Sequence, residues 1–188
     1  MEKRTLFCYY SSQLVPSSSG PGRWPLTPET RVRSSLGLFS NNIMWFYKLN
    51  QMFFERLQHD ADLLLAIENI FKQHDMRMGC FAVIGAVKGA HIAFYNQEEK
   101  QYIDTMIDKP AEILSCIGNV SEIEGKISVH AHIKLGYEDS SARGGHLLEG
   151  TVIFAAELFG VALEGEQLQR TFDEVTGLNL WAFEKNPY

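Results

Sequence analysis

The sequence predicts an α+β domain built on a mainly antiparallel β-sheet with one principal early helix. Three features point there: a single stretch with apolar residues at helical spacing, a series of strand-like runs after it, and short turns between those runs. Strands joined by only a few residues pair antiparallel, because a parallel neighbour needs a crossover of a dozen residues or more.

The elements follow in order along the chain. From Ser11 to Asn42 the sequence is rich in Ser, Pro, Gly and Asn, and Pro16, Pro21, Pro25 and Pro28 are four of its six prolines. No sustained period survives there, so residues 1–43 read as a poorly ordered leader. The ordered part opens with Met44 to Lys48 and Met52 to Arg56, two aromatic-rich runs read as short strands joined by a turn at Asn50. The helix comes next. Asp60 can cap it, Asp62 suits its positive end, and Leu63, Leu64, Ile67, Ile70 and Phe71 form its apolar stripe. After Gly79 the pattern turns to strands at Cys80 to Val87, Ala90 to Tyr95, Gln101 to Met106, Glu112 to Val120, Ile127 to Leu135 and Thr151 to Leu163.

Composition narrows the function. The 188 residues are 45% hydrophobic and 21% charged, the profile of one globular domain. Even the apolar run from Thr151 to Val161 is interrupted by Glu157 and falls short of the ~18 residues of a membrane-spanning helix. The net charge of -6 divides unevenly: residues 1–43 carry five basic groups against two acidic, +3, and residues 44–188 carry 12 against 21, -9. An acidic domain lacks the clustered Lys and Arg of a nucleic-acid binder. Gly85, Gly89 and Gly118 do not have the spacing of a phosphate loop. Cys8, Cys80 and Cys116 are odd in number and form no C-x-x-C pair, which fits a reducing, cytoplasmic setting. Cys80 and Cys116 lie in apolar runs and read as buried inert thiols.

One constellation carries chemistry. In Val129-His130-Ala131-His132-Ile133 the period of two puts both imidazoles on one strand face and the apolar residues on the other. His146 follows Gly144-Gly145, where absent side chains let the backbone bring a third imidazole back toward that strand. Three imidazoles and an open position are the ligand set of many catalytic zinc sites. Two structural histidines satisfied by hydrogen bonds would give the same His-x-His pattern. Glu149 could accept a proton or orient a histidine, and Arg143 could neutralise an anionic substrate; an ordinary surface ion pair or a turn charge is the simpler account of each. His59, His74 and His91 are scattered and receive no role.

The segment from His130 to Ile133 and from Gly144 to Val152 resembles the hallmark of the PPC family, the plant and prokaryote conserved domain. The match extends to Asp62-Leu63, Ile84 to Val87, Pro110 to Ser115, Glu157 and the closing Thr176-Gly177-Leu178-Asn179-Leu180-Trp181. It covers residues 44–184 and leaves the leader and a tail at 185–188 outside. The resemblance implies an α+β domain that forms a homotrimer, in a family commonly described as candidate DNA-binding proteins. Plant relatives join this domain to AT-hooks. Here no Arg-Gly-Arg-Pro hook exists, since Pro21-Gly22-Arg23-Trp24-Pro25 supplies one arginine. The fold is also similar to that of acetolactate decarboxylase, whose zinc ligands His130, His132 and His146 match. Two functions follow as expectations: a trimeric DNA-binding or regulatory protein with a zinc site, or a zinc-dependent lyase or hydrolase acting on a small carbonyl or ester compound bound at the metal.

Overall fold

The sheet closes on itself, and one helix seals its core. The computed structural model describes residues 46–182; the leader at 1–43, the tail at 185–188 and Cys8 lie outside them. Strand β1 (Lys48–Leu57) leads to helix α1 (Leu63–Gln73), then β2 (Gly79–Asn96), β3 (Gln101–Ile107), β4 (Ala111–Ile123) and β5 (Lys126–Gly136). Strands β6 (Ala142–Leu147), β7 (Val152–Glu164), β8 (Gln169–Asp173) and β9 (Leu178–Trp181) complete the order. The α+β class is as expected from sequence. No helix among the described residues is long and apolar enough to cross a membrane.

Three local expectations change. Asn50 makes no turn: β1 runs through it along β7, and the register steps from Leu49↔Leu163 to Gln51↔Ala162, so Asn50 is the extra residue of a bulge. Asp60 does not cap the helix. Asp62 does, with extended backbone and its Oδ1 accepting from the Leu65 N–H at 2.9 Å, whereas Asp60 sits at φ 66° and pairs with Lys88. Lys88-Gly89 does not divide two strands either. β2 passes through as one strand, and only its pairing register slips at that point.

β2 organises the sheet. Its first half lies between β4 and β7, and its second half pairs with β3 and β6. Because β6 also pairs with β5, and β5 with β4, the strands β2, β6, β5 and β4 form a closed hydrogen-bonded circuit. All named pairings are antiparallel except β4 with β8. That contact is fixed by buried Glu122 of β4, which accepts hydrogen bonds from Arg77 and from Gln169. The core lies inside, where Leu63, Ile67 and Phe71 of α1 are fully buried. The Phe71 ring stands 5.7 Å from that of Phe53 and 6.3 Å from that of Phe81.

The opposite face is not uniformly polar. Residues directly opposite in an antiparallel ladder share a face. One row therefore crosses the sheet from Phe54 through Phe159, Ala82 and Ile117 to His132 and His146. Phe54 and Ile117 in that row are 80% and 64% exposed, too much apolar surface to be incidental on one row.

Candidate metal centre

The alternation of β5 does what its sequence predicts. Ala131, Ile133 and Leu135 are buried in the core, and His130 and His132 project from the other face. His146 reaches the same face through β6, which the sequence did not disclose as a strand; it pairs with His132 on one side and with Ala93 on the other. Gly144-Gly145 act by close approach rather than by folding the chain back. A Cβ on Gly144 would stand 2.7 Å from the Ile133 carbonyl oxygen and one on Gly145 would stand 2.6 Å from that of Ala93, so any larger residue would push β6 off its neighbours.

The three rings converge, with centroids 5.0 Å apart for His130 and His146, 5.3 Å for His130 and His132, and 5.4 Å for His132 and His146. One ring nitrogen from each lies within 4.8 Å of the others. Burial pushes the His130 imidazolium down to about 4, helped by the charges of His146, Arg170 and His132; His146 is lowered by burial first and then by His132 and Arg170. Both rings are therefore neutral at pH 7 and keep a lone pair, the form in which imidazole ligates a metal. The Nδ1 of His146 is buried without a hydrogen-bond partner, a costly state for a polar atom unless something binds it. The donor set fits a borderline-soft divalent ion such as zinc.

The sequence missed the positive group of this face. Arg170 lies on β8, whose parallel pairing with β4 sets its side chain beside Asn119 and Ser121. Asn119 in turn stands opposite His130 on β5. From β9, the Trp181 ring lies under the guanidinium, 5.5 Å from ring centroid to Cζ. The Tyr102 ring packs 5.0 Å from His146 and 4.9 Å from Tyr95, whose hydroxyl donates to the Thr176 carbonyl at 2.6 Å. The closing Thr176-to-Trp181 segment thus secures the rim of the histidine cluster. Arg170 follows His146 by 24 positions, with no motif tying the two together in sequence.

The remaining sequence candidates are placed elsewhere. Arg143 is exposed, three residues from His146 on the same strand, hence on the opposite face. Glu149 is exposed in the turn before β7, where its backbone carbonyl accepts from His91 Nδ1. His91 also bonds Asp104 through Nε2 at 2.9 Å, tying β2 to β3. Cys116 is buried, its thiol pushed up to about 12 by burial. Cys80 is exposed, contrary to expectation, because it falls on the outward phase of β2.

An antiparallel β-domain with one sealing helix and a three-histidine cluster defines the class of protein. Residues 46–163 match the model of the Plants and Prokaryotes Conserved (PCC, also written PPC) domain, and the chain belongs to that family. Among solved structures it is similar to a metal-containing protein of Archaeoglobus fulgidus, at 37% identity over 74% of this chain and 99% of that one, with a TM-score of 0.71. A PPC protein of Pyrococcus horikoshii is 32% identical over 77% of this chain and 100% of that one, TM-score 0.72. A candidate DNA-binding protein of Bacteroides thetaiotaomicron is 27% identical over 74% and 99%, TM-score 0.66. No curated protein shows significant similarity to the chain.

Proposed function

We propose that this PPC protein is a homotrimeric metalloprotein whose His130, His132 and His146 hold one divalent ion, zinc first among candidates. The convergence of three imidazoles, together with a buried His146 nitrogen that has no hydrogen-bond partner, carries the reading. The metal-containing Archaeoglobus relative supports it. Such an ion would supply Lewis acidity toward a carbonyl or ester oxygen, the chemistry of a lyase or hydrolase. The chain's own residues lower His130 and His146 toward the neutral form, present the ligands on the paired strands β5 and β6, and wall the face with Tyr102 and Trp181. The exposed row from Phe54 to Ile117, continuous with His132, supports subunit contact beside the centre. The free thiols of Cys80 and Cys116 suit a reducing compartment such as the cytoplasm.

Elemental analysis of protein purified without chelators tests the metal. One zinc per chain is expected, falling below about a tenth in His132→Ala with unchanged circular dichroism; metal-free wild type after incubation with zinc would end this reading. Sedimentation equilibrium tests the trimer, and a monomer at micromolar concentration would refute it.

A second reading, a DNA-associated regulatory protein, is favoured by the Bacteroides relative. It predicts duplex binding that weakens steeply as salt rises, against the charge of -9 on residues 44–188. Absence of retention on duplex DNA at about 50 mM salt would dismiss it.

A further inference from the structure

Arg170 is a half-buried cation with no acidic partner among the described residues. Its Nε donates to Ser121 Oγ at 2.8 Å, one Nη to the Asn179 carbonyl at 3.0 Å, and the other Nη to Asn119 Oδ1 at 2.8 Å. All three acceptors are neutral. A guanidinium carries five N–H donors, so these bonds fix its plane and leave two. Its nearby titratable groups are His130, His146 and Tyr102, none of them a carboxylate. Taking a cation out of water costs several kcal/mol unless opposite charge offsets it, and neutral dipoles do so only in part. Imidazole ligands carry no negative charge, so three of them leave the charge of a divalent ion equally unbalanced. The two features share one face of an otherwise acidic domain, and both call for an anion.

We propose that Arg170 anchors the anionic end of a small carboxylate ligand at the histidine face, an inference that rests on the metal reading for the ligand's second contact. Two free N–H donors on a planar fork match two carboxylate oxygens, and lysine could not reproduce that geometry. Asn119, Ser121 and the Asn179 carbonyl are positioning groups that hold the fork, and Trp181 backs it. This assigns the charge-recognising role to Arg170 rather than to Arg143.

Calorimetric titration of the full chain with sodium acetate, in metal-free and zinc-loaded forms, tests the proposal. Arg170→Gln should weaken acetate binding at least about tenfold in both forms with zinc stoichiometry unchanged, and Arg170→Lys should restore only part. Unchanged affinity in Arg170→Gln, or tighter binding of inorganic phosphate than of acetate to wild type, would overturn it. Because Arg170→Gln also removes ties to β4 and β9, the unaltered protein supplies an independent measurement. The Arg170 Nε–H resonance should shift on adding acetate, and no shift at about 100 mM acetate defeats the proposal. Failure to bind zinc would sink the metal reading alone, since Arg170-dependent acetate binding to metal-free protein would still uphold the anchor.

Discussion

The two faces of β5 use the same backbone for opposite purposes. On the inner face Ala131, Ile133 and Leu135 are buried against many apolar neighbours. On the outer face His130 and His132 meet the single imidazole of His146 that β6 brings beside β5. Core burial is collective and nearly indifferent to which neighbour supplies the contact, whereas a polar centre fails when one group is misplaced. Stability and chemistry are therefore separable along one strand.

Substitutions should separate them in order of effect. Leu135→Ala opens a cavity at a fully buried position and should cost about 2–5 kcal/mol in urea unfolding. Zinc per folded chain should stay unchanged, and loss of zinc from the folded protein would break the separation. Asp62→Ala should cost about 0.5–2 kcal/mol, because it removes the helix cap and leaves the Gly150 N–H without its 2.6 Å acceptor. His132→Ala, at an exposed position, should shift metal-free stability by less than about 0.5 kcal/mol while abolishing stoichiometric zinc. A large loss of stability without metal would make His132 a structural residue.

The smallest effect concerns pH. Asp104 and the Glu149 carbonyl raise the His91 imidazolium above its usual 6.5. A raised folded value means the contribution is fully present below about 6.5 and is lost as pH rises through the higher folded value. Asp104, correspondingly lowered by His91, contributes above about 3.8 and loses this as pH falls through its lowered value. Wild type should therefore lose slightly more stability than Asp104→Asn between about pH 6 and pH 8.5, read from urea midpoints. Parallel profiles would show that the pair contributes nothing.

Much of this was legible one residue at a time. The period of two from Val129 to Ile133 fixes which side chains share a face, and Leu63, Ile67 and Phe71 announce the buried side of the helix. Gly144-Gly145 marked an unusual backbone site. The strand they serve was hidden, because two glycines and an arginine carry no β signal and β6 exists only through its flanking partners. β8 and β9 escaped for a different reason, being only five and four residues long, too short to show a period. Asn50 and Lys88-Gly89 read as breaks because turn-forming residues also occupy bulges and register slips, which a single strand's sequence does not distinguish.

By itself, then, the sequence determined the α+β class, the helix with its buried stripe, the acidic domain and the histidines facing one way from β5. These follow from periodicity and composition, which act over neighbouring residues. Only the tertiary structure decided that β2, β6, β5 and β4 close a circuit, that His146 meets the other two imidazoles, and that Arg170 rather than Arg143 stands at their side. Those depend on pairings between distant segments, where register and burial, not local pattern, set which groups meet.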